Sequence, residues 1–185
     1  MKKEFLNNEI WILTFGGAFQ RANIYKENYS EKIRTDFRKA LREKTEKLVS
    51  EKYHQKVDKE QHIENIYELV KHSQNLRVDG NCIPINFGVA QKLINLYLKY
   101  LWCLKEVPEP PHFPVDRIIQ EKLIRILKDN TLATFKLLPW TQFEDEIHYK
   151  EVIEKAKLIT DNVKEYKDLS LAELELKIFD RSNLK

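Results

Sequence analysis

Residues 89–104 read VAQKLINLYLKYLWCL, and this run constrains the fold more than any other. It is apolar on most sides, so as a helix it belongs in an interior rather than on a surface. The segment EVPEPPHFP follows at once. Prolines remove backbone donors and bar the helical region to the residue before them, so the helix ends near Leu104. Neither this run nor IWILTFGGAF near the start is long enough to span a bilayer.

The remaining segments are punctuated as helices. Ser30 is placed to cap EKIRTDFRKALREKTEKLVSEKY, in which Ile33, Phe37, Leu41 and Leu48 fall near one face. Asp58 and Gln61 form a capping-box-like start to KEQHIENIYELVKHSQ, with Ile63, Ile66, Tyr67 and Val70 as its apolar stripe. VDRIIQEKLIRILKDN is amphipathic through Ile118, Ile119, Leu123, Ile126 and Leu127. Thr141 with Glu144 predicts a cap before IHYKEVIEKAKLITDNV, and Ser170 with Glu173 predicts one before LAELELKIFD. EFLNNEIWILTF reads as helix or short strand ended by Gly16-Gly17, with a short helix over AFQRANIYKEN after it. The expectation is an all-α, compact multi-helix domain over 1–185, with room for two lobes.

Composition narrows the class. Four glycines are too few for the turns of an all-β fold, and a 42% hydrophobic, 33% charged chain is neither disordered nor membrane-embedded. MKKEFLNNEIW lacks the apolar stretch of a secretory leader. Two cysteines, Cys82 and Cys103, cannot build a disulfide framework or a metal knuckle, and Cys103 reads as a buried free thiol. A cytoplasmic location is the default. A net charge of +3 points only weakly to an anionic partner.

One stretch carries chemistry. FGVAQKLINLYL holds G-V-x-x-K-x-x-N-x-x-L, and HFPVDRII opens a later helix with a Val-Asp step. Here the chain resembles, over about 86–123, the helix-hairpin-helix DNA glycosylases that include endonuclease III and the 8-oxoguanine glycosylases. The resemblance implies such an element around 63–104 and a DNA-repair role: base excision with lyase chemistry through a lysine Schiff base. It implies Lys92 as nucleophile and Asp116 as acidic partner. Gly88 and Ala90 would present backbone N–H groups to a DNA phosphate, with Arg117 beside them, and Asn95 matches a recurrent asparagine. Phe87, Trp102, His112 and Trp140 are candidates, by residue type, to hold an everted base. Ala90 stands where the family has a second glycine, and Asn86-Phe87 where it has leucine-proline. No cofactor is implied.

The chemistry is coherent, because burial on an apolar helix lowers a lysine's pKa and an aspartate can shuttle protons beside it. An ordinary account exists for each residue: a lysine in a first helical turn, and an aspartate as N-cap. A non-enzymatic helical protein from a mobile-element or defence context, binding a protein or nucleic-acid partner, is the alternative. A DNA-binding module without chemistry is the third reading.

Other residues point elsewhere with less force. His62 and His72 are ten apart on one helix, nearly three turns, and so are not the i, i+4 pair of a zinc helix. His112 reads as a solvated loop histidine. Glu144, Asp145, Glu146 and His148 read as helix-start residues rather than a metal site. Arg34, Arg38 and Arg42 form a basic stripe suited to a phosphate backbone, with Asp36, Glu43 and Glu46 interleaved as for a salt-bridged surface.

Overall fold

The computed structural model describes residues 1–25 and 28–179. Seven α-helices and one 3₁₀ turn follow in order: α1 (Lys2–Phe19), α2 (Glu31–Lys52), α3 (Lys59–Asn75), α4 (Phe87–Cys103), α5 (Arg117–Asp129), the turn Trp140–Gln142, α6 (Ile147–Asn162) and α7 (Leu171–Ile178). Among the described residues there is no strand, so the all-α expectation holds.

α4 is the axis, as its sequence requires. Of its seventeen residues thirteen are buried, from Phe87 to Leu101. α1 and α3 pack on it and α2 packs on α3; α5, α6 and α7 pack on one another, and the 140–142 turn closes over the start of α4. One hydrophobic cluster runs through both groups, including Phe37, Leu41, Ile66, Leu69, Leu93, Leu98, Leu123 and Ile159. Each such side chain contributes about 1.5–3 kcal/mol by leaving water.

The caps form where the chain has short oxygen-bearing residues. Ser30 Oγ accepts from Ile33 N and Asp58 Oδ1 from Gln61 N. Ser170 and Glu173 make both halves of a capping box. The Thr141 cap is a correction. Its segment is the 3₁₀ turn, α6 starts at Ile147, and Asp145 Oδ1 accepts from Ile147 N.

Gly16 and Gly17 do not end α1, which runs on to Phe19. Gly17 serves helix packing instead: a Cβ there would sit 2.6 Å from Leu96 Cδ1 of α4. The short helix expected after it is absent in the described part. The chain turns at 20–22 and continues irregularly through Tyr25, with Asn23 at positive φ, while Lys26 and Glu27 lie outside the described residues. Cys103 is exposed rather than buried, because it is the last residue of α4, where the helix leaves the core.

Candidate functional site

Lys92 and Asp116 meet. Lys92 projects from the second turn of α4, and Asp116 is the N-cap of α5, its Oδ1 accepting from Ile119 N at 3.0 Å. The other carboxylate oxygen, Oδ2, lies 3.5 Å from Lys92 Nζ. Trp140 supplies a third side, its ring centre 4.3 Å from the same Nζ. Carboxylate and ring face thus both lie within electrostatic reach of the Lys92 amine.

The trio lines a cleft of about 410 Å³ whose far wall is α1, through Leu13, Gly16 and Gly17. The cleft continues into a second of about 310 Å³ that shares Leu13, Gly17, Lys92, Asp116 and Phe179. These are the dimensions of a small-molecule subsite, roughly 300–1,000 Å³. Arg117 and Arg21, both exposed, stand at its edge. Arg117 is tied to Glu121 at 2.7 Å. The cleft reaches solvent, since the Lys92 and Asp116 side chains are 10% and 17% exposed.

Two buried glutamines fix this geometry. Gln91 binds both backbone groups of Val115, the residue before Asp116. Gln120 does the same for Leu138, two residues before Trp140, donating to its carbonyl and accepting from its N–H. The sequence reading passed over both glutamines. The available signal was a polar amide on the buried face of a helix, where it must find partners.

The hairpin is not formed at Gly88. Residues 88–90 lie in the first turn of α4, and their donors are taken: Gly88 N by Phe143 O, Val89 N by Asn86 Oδ1, Ala90 N by Asn86 O. Gly88 is a glycine because the 140–143 turn presses on it; a Cβ there would lie 1.7 Å from Trp140 O. Gly88 and Ala90 therefore offer no donor to a phosphate.

Of the base-pocket candidates, Trp140 alone reaches the cleft. Phe87 is fully buried between Tyr67 and Tyr149. Trp102 lies ten residues along α4 from Lys92, about 15 Å up the helix, half-buried and outside the cleft lining. His112 is not a solvated loop residue. Its Nδ1 pairs with Tyr149 Oη at 3.1 Å, its ring meets His62 edge to face, and it is 1% exposed.

Asn95 faces the same polar core, donating to Tyr149 Oη at 3.0 Å. Tyr53 Oη lies 2.7 Å from His62 Nδ1. Burial pushes the His62 pKa down to about 4, partly offset by Asn95. Burial, then the neighbouring His62 and Lys59, take His112 down to about 2.

The acids at the start of α6 have other employment: Glu146 accepts from Tyr67 Oη, Asp145 caps Ile147, and Glu144 accepts from Asn86. Among the described residues no group of three or more His, Cys, Asp or Glu side chains is arranged to hold a metal ion. No helix among them is long and apolar enough to cross a membrane. Comparison with protein-family models, curated proteins and solved structures finds no match to this chain.

Proposed function

We propose that the protein interacts with DNA and receives an everted, base-free nucleotide in the Lys92–Asp116–Trp140 cleft, where Lys92 is the amine nucleophile. The single supporting observation is the 3.5 Å approach of Lys92 Nζ to Asp116 Oδ2 at a solvent-reaching cleft. Residues 24 apart in sequence are brought together there and braced by a pair of buried glutamines. Positioning of this kind is what a reactive amine needs.

In this reading Lys92 first passes a proton to Asp116. The neutral amine adds to C1′ of the ring-opened sugar, and Asp116 returns the proton as the hydroxyl leaves. One ammonium and one aldehyde thus give one protonated imine and one water. Arg21 and Arg117 would attract the flanking phosphates. Excision of a damaged base, and a cytoplasmic location, belong to the same proposal.

Incubation with an abasic duplex followed by borohydride tests it. The expected result is a covalent protein–DNA adduct, absent in Lys92→Gln and formed more slowly in Asp116→Asn. Absence of any adduct from folded wild-type protein overturns the lyase.

A second reading rests on its own observation: Asp116 caps α5 while pairing with a lysine stacked on Trp140. The trio then ties α4, α5 and the 140–142 turn together in a non-enzymatic binding protein. That reading predicts that both substitutions lower stability and leave duplex affinity unchanged.

A further inference from the structure

Next to the Lys92 cleft, sharing Ile12, Gly16 and Gln20 with it, lies a groove of about 860 Å³ between α1 and α2. One wall is apolar: Trp11, Ile12, Phe15 and Phe19 from α1, with Tyr25 beyond its end. The other wall is α2, which contributes Arg38, Lys39 and Arg42. None of the twelve lining residues is acidic, so the groove presents apolar surface beside three cations.

α1 itself is short of cover. Its apolar residues are spread round the helix rather than gathered on one face, and Phe5, Leu6, Ile12 and Leu13 are exposed, Ile12 by 64%. A helix apolar on all sides normally has protein on all sides. Among the described residues the helix packed most extensively on α1 is α4.

Nucleic acid is the obvious anionic occupant, but the aromatic groups are poorly set for it. Trp11 is 2% exposed and already stacked on Tyr97 at 4.5 Å. Phe19 is engaged by Phe15 and Phe37. Bases require open ring faces, whereas an apolar ridge requires only a floor.

From Asn8 to Phe19 the groove follows α1 for on the order of 16 Å, the length of a helix of about 11 residues. We infer that the α1–α2 groove docks a short amphipathic helix of a partner protein, apolar face on Ile12 and Phe15, acidic residues toward Arg38 and Lys39. Arg38 and Arg42 now pair with Glu31 and Glu46. The Arg38–Glu31 pair, exposed on its glutamate side, is worth about 0–1 kcal/mol, so a partner carboxylate can replace Glu31 there, whereas Arg42 stays on the partly buried Glu46. Lys39 is exposed.

The test uses designed helical peptides of about 14 residues with one apolar stripe and either glutamate or lysine on the polar face, alongside a single-stranded oligonucleotide. Binding is read by fluorescence anisotropy. The glutamate peptide binds the intact protein and weakens as salt rises. Arg38→Glu with Lys39→Glu lowers its affinity about tenfold or more, and Ile12→Ser, at an exposed position, lowers it as well. Circular dichroism confirms that the variants fold, and the salt titration needs no variant. No peptide binding, equal binding of the two peptides, or oligonucleotide binding with the same residue dependence overturns the inference.

Discussion

Gln91 grips both backbone groups of Val115: its Nε2 donates to Val115 O at 2.9 Å, and its Oε1 accepts from Val115 N at 3.1 Å. Glutamine and valine are both buried, so neither backbone group has water as a substitute. Asp116 is the next residue, and the grip therefore sets where its carboxylate meets Lys92.

Gln91→Ala is expected to leave a donor and an acceptor unsatisfied in the interior. Each costs about 1–3 kcal/mol, so the loss in chemical denaturation should be about 2–6 kcal/mol. If borohydride trapping is observed, the same variant should slow it while leaving Lys92 in place. A stability change under about 0.5 kcal/mol, the size of an ordinary surface substitution, would show that the grip does not hold Val115.

Gly88→Ala tests the contact that replaced the expected hairpin. The added methyl would meet the Trp140 backbone carbonyl, which cannot swing aside like a side-chain tip. Moving the turn also breaks the 2.9 Å bond from Gly88 N to Phe143 O. The expected cost is about 1–3 kcal/mol, as for other overpacked sites. Trp140 should shift off Lys92 with it, changing tryptophan near-ultraviolet dichroism. A variant as stable as wild type with an unchanged spectrum would refute the close packing.

The reach of the sequence differs between these two positions and the caps. Ser30, Asp58 and Ser170 with Glu173 were legible because a cap is settled within four residues. α4 was legible because an apolar run with a proline stop has few alternatives. The closeness of Lys92 and Asp116 came from a family resemblance, not from periodicity, since the chain between them passes through an irregular loop. That loop also misled. Its prolines suggested solvent, yet Pro110, His112, Phe113, Pro114 and Val115 are buried. Gly88 was misread for a related reason: the 140–143 turn that needs its missing side chain lies more than fifty residues away.

The buried histidines predict loss of stability in mild acid. His62 and His112 titrate near 6.5 in the unfolded chain but are held to about 4 and about 2 in the fold. Between those values the unfolded chain takes up protons that the folded chain refuses. Stability is thus fully present above about pH 6.5 and falls as pH drops toward 4. Carboxylates held low by partners, such as Glu31 beside Arg38 and Glu146 beside Tyr67, contribute their own loss at lower pH. Thermal unfolding from pH 7.5 to 4.5 should show a falling midpoint, with a shallower slope in His62→Gln. A flat wild-type profile through that range would contradict the burial of both rings.

Lys99 and Glu175 form the second lysine–carboxylate pair beside the cleft, at 2.7 Å, with Lys99 lying over the Phe179 ring at 4.2 Å. Glu175 is 3% exposed, so its carboxylate depends on protein partners rather than water. Removing the lysine leaves a buried charge, and Lys99→Met is expected to cost about 3–5 kcal/mol. Removing both charges is different, because two ions no longer have to be taken out of water. The double variant Lys99→Met with Glu175→Met should recover most of that loss, giving a coupling energy of about 2 kcal/mol or more in a double-mutant cycle. Additive losses in the cycle would mean that the two groups act independently and that α7 is held to α4 by apolar contacts alone.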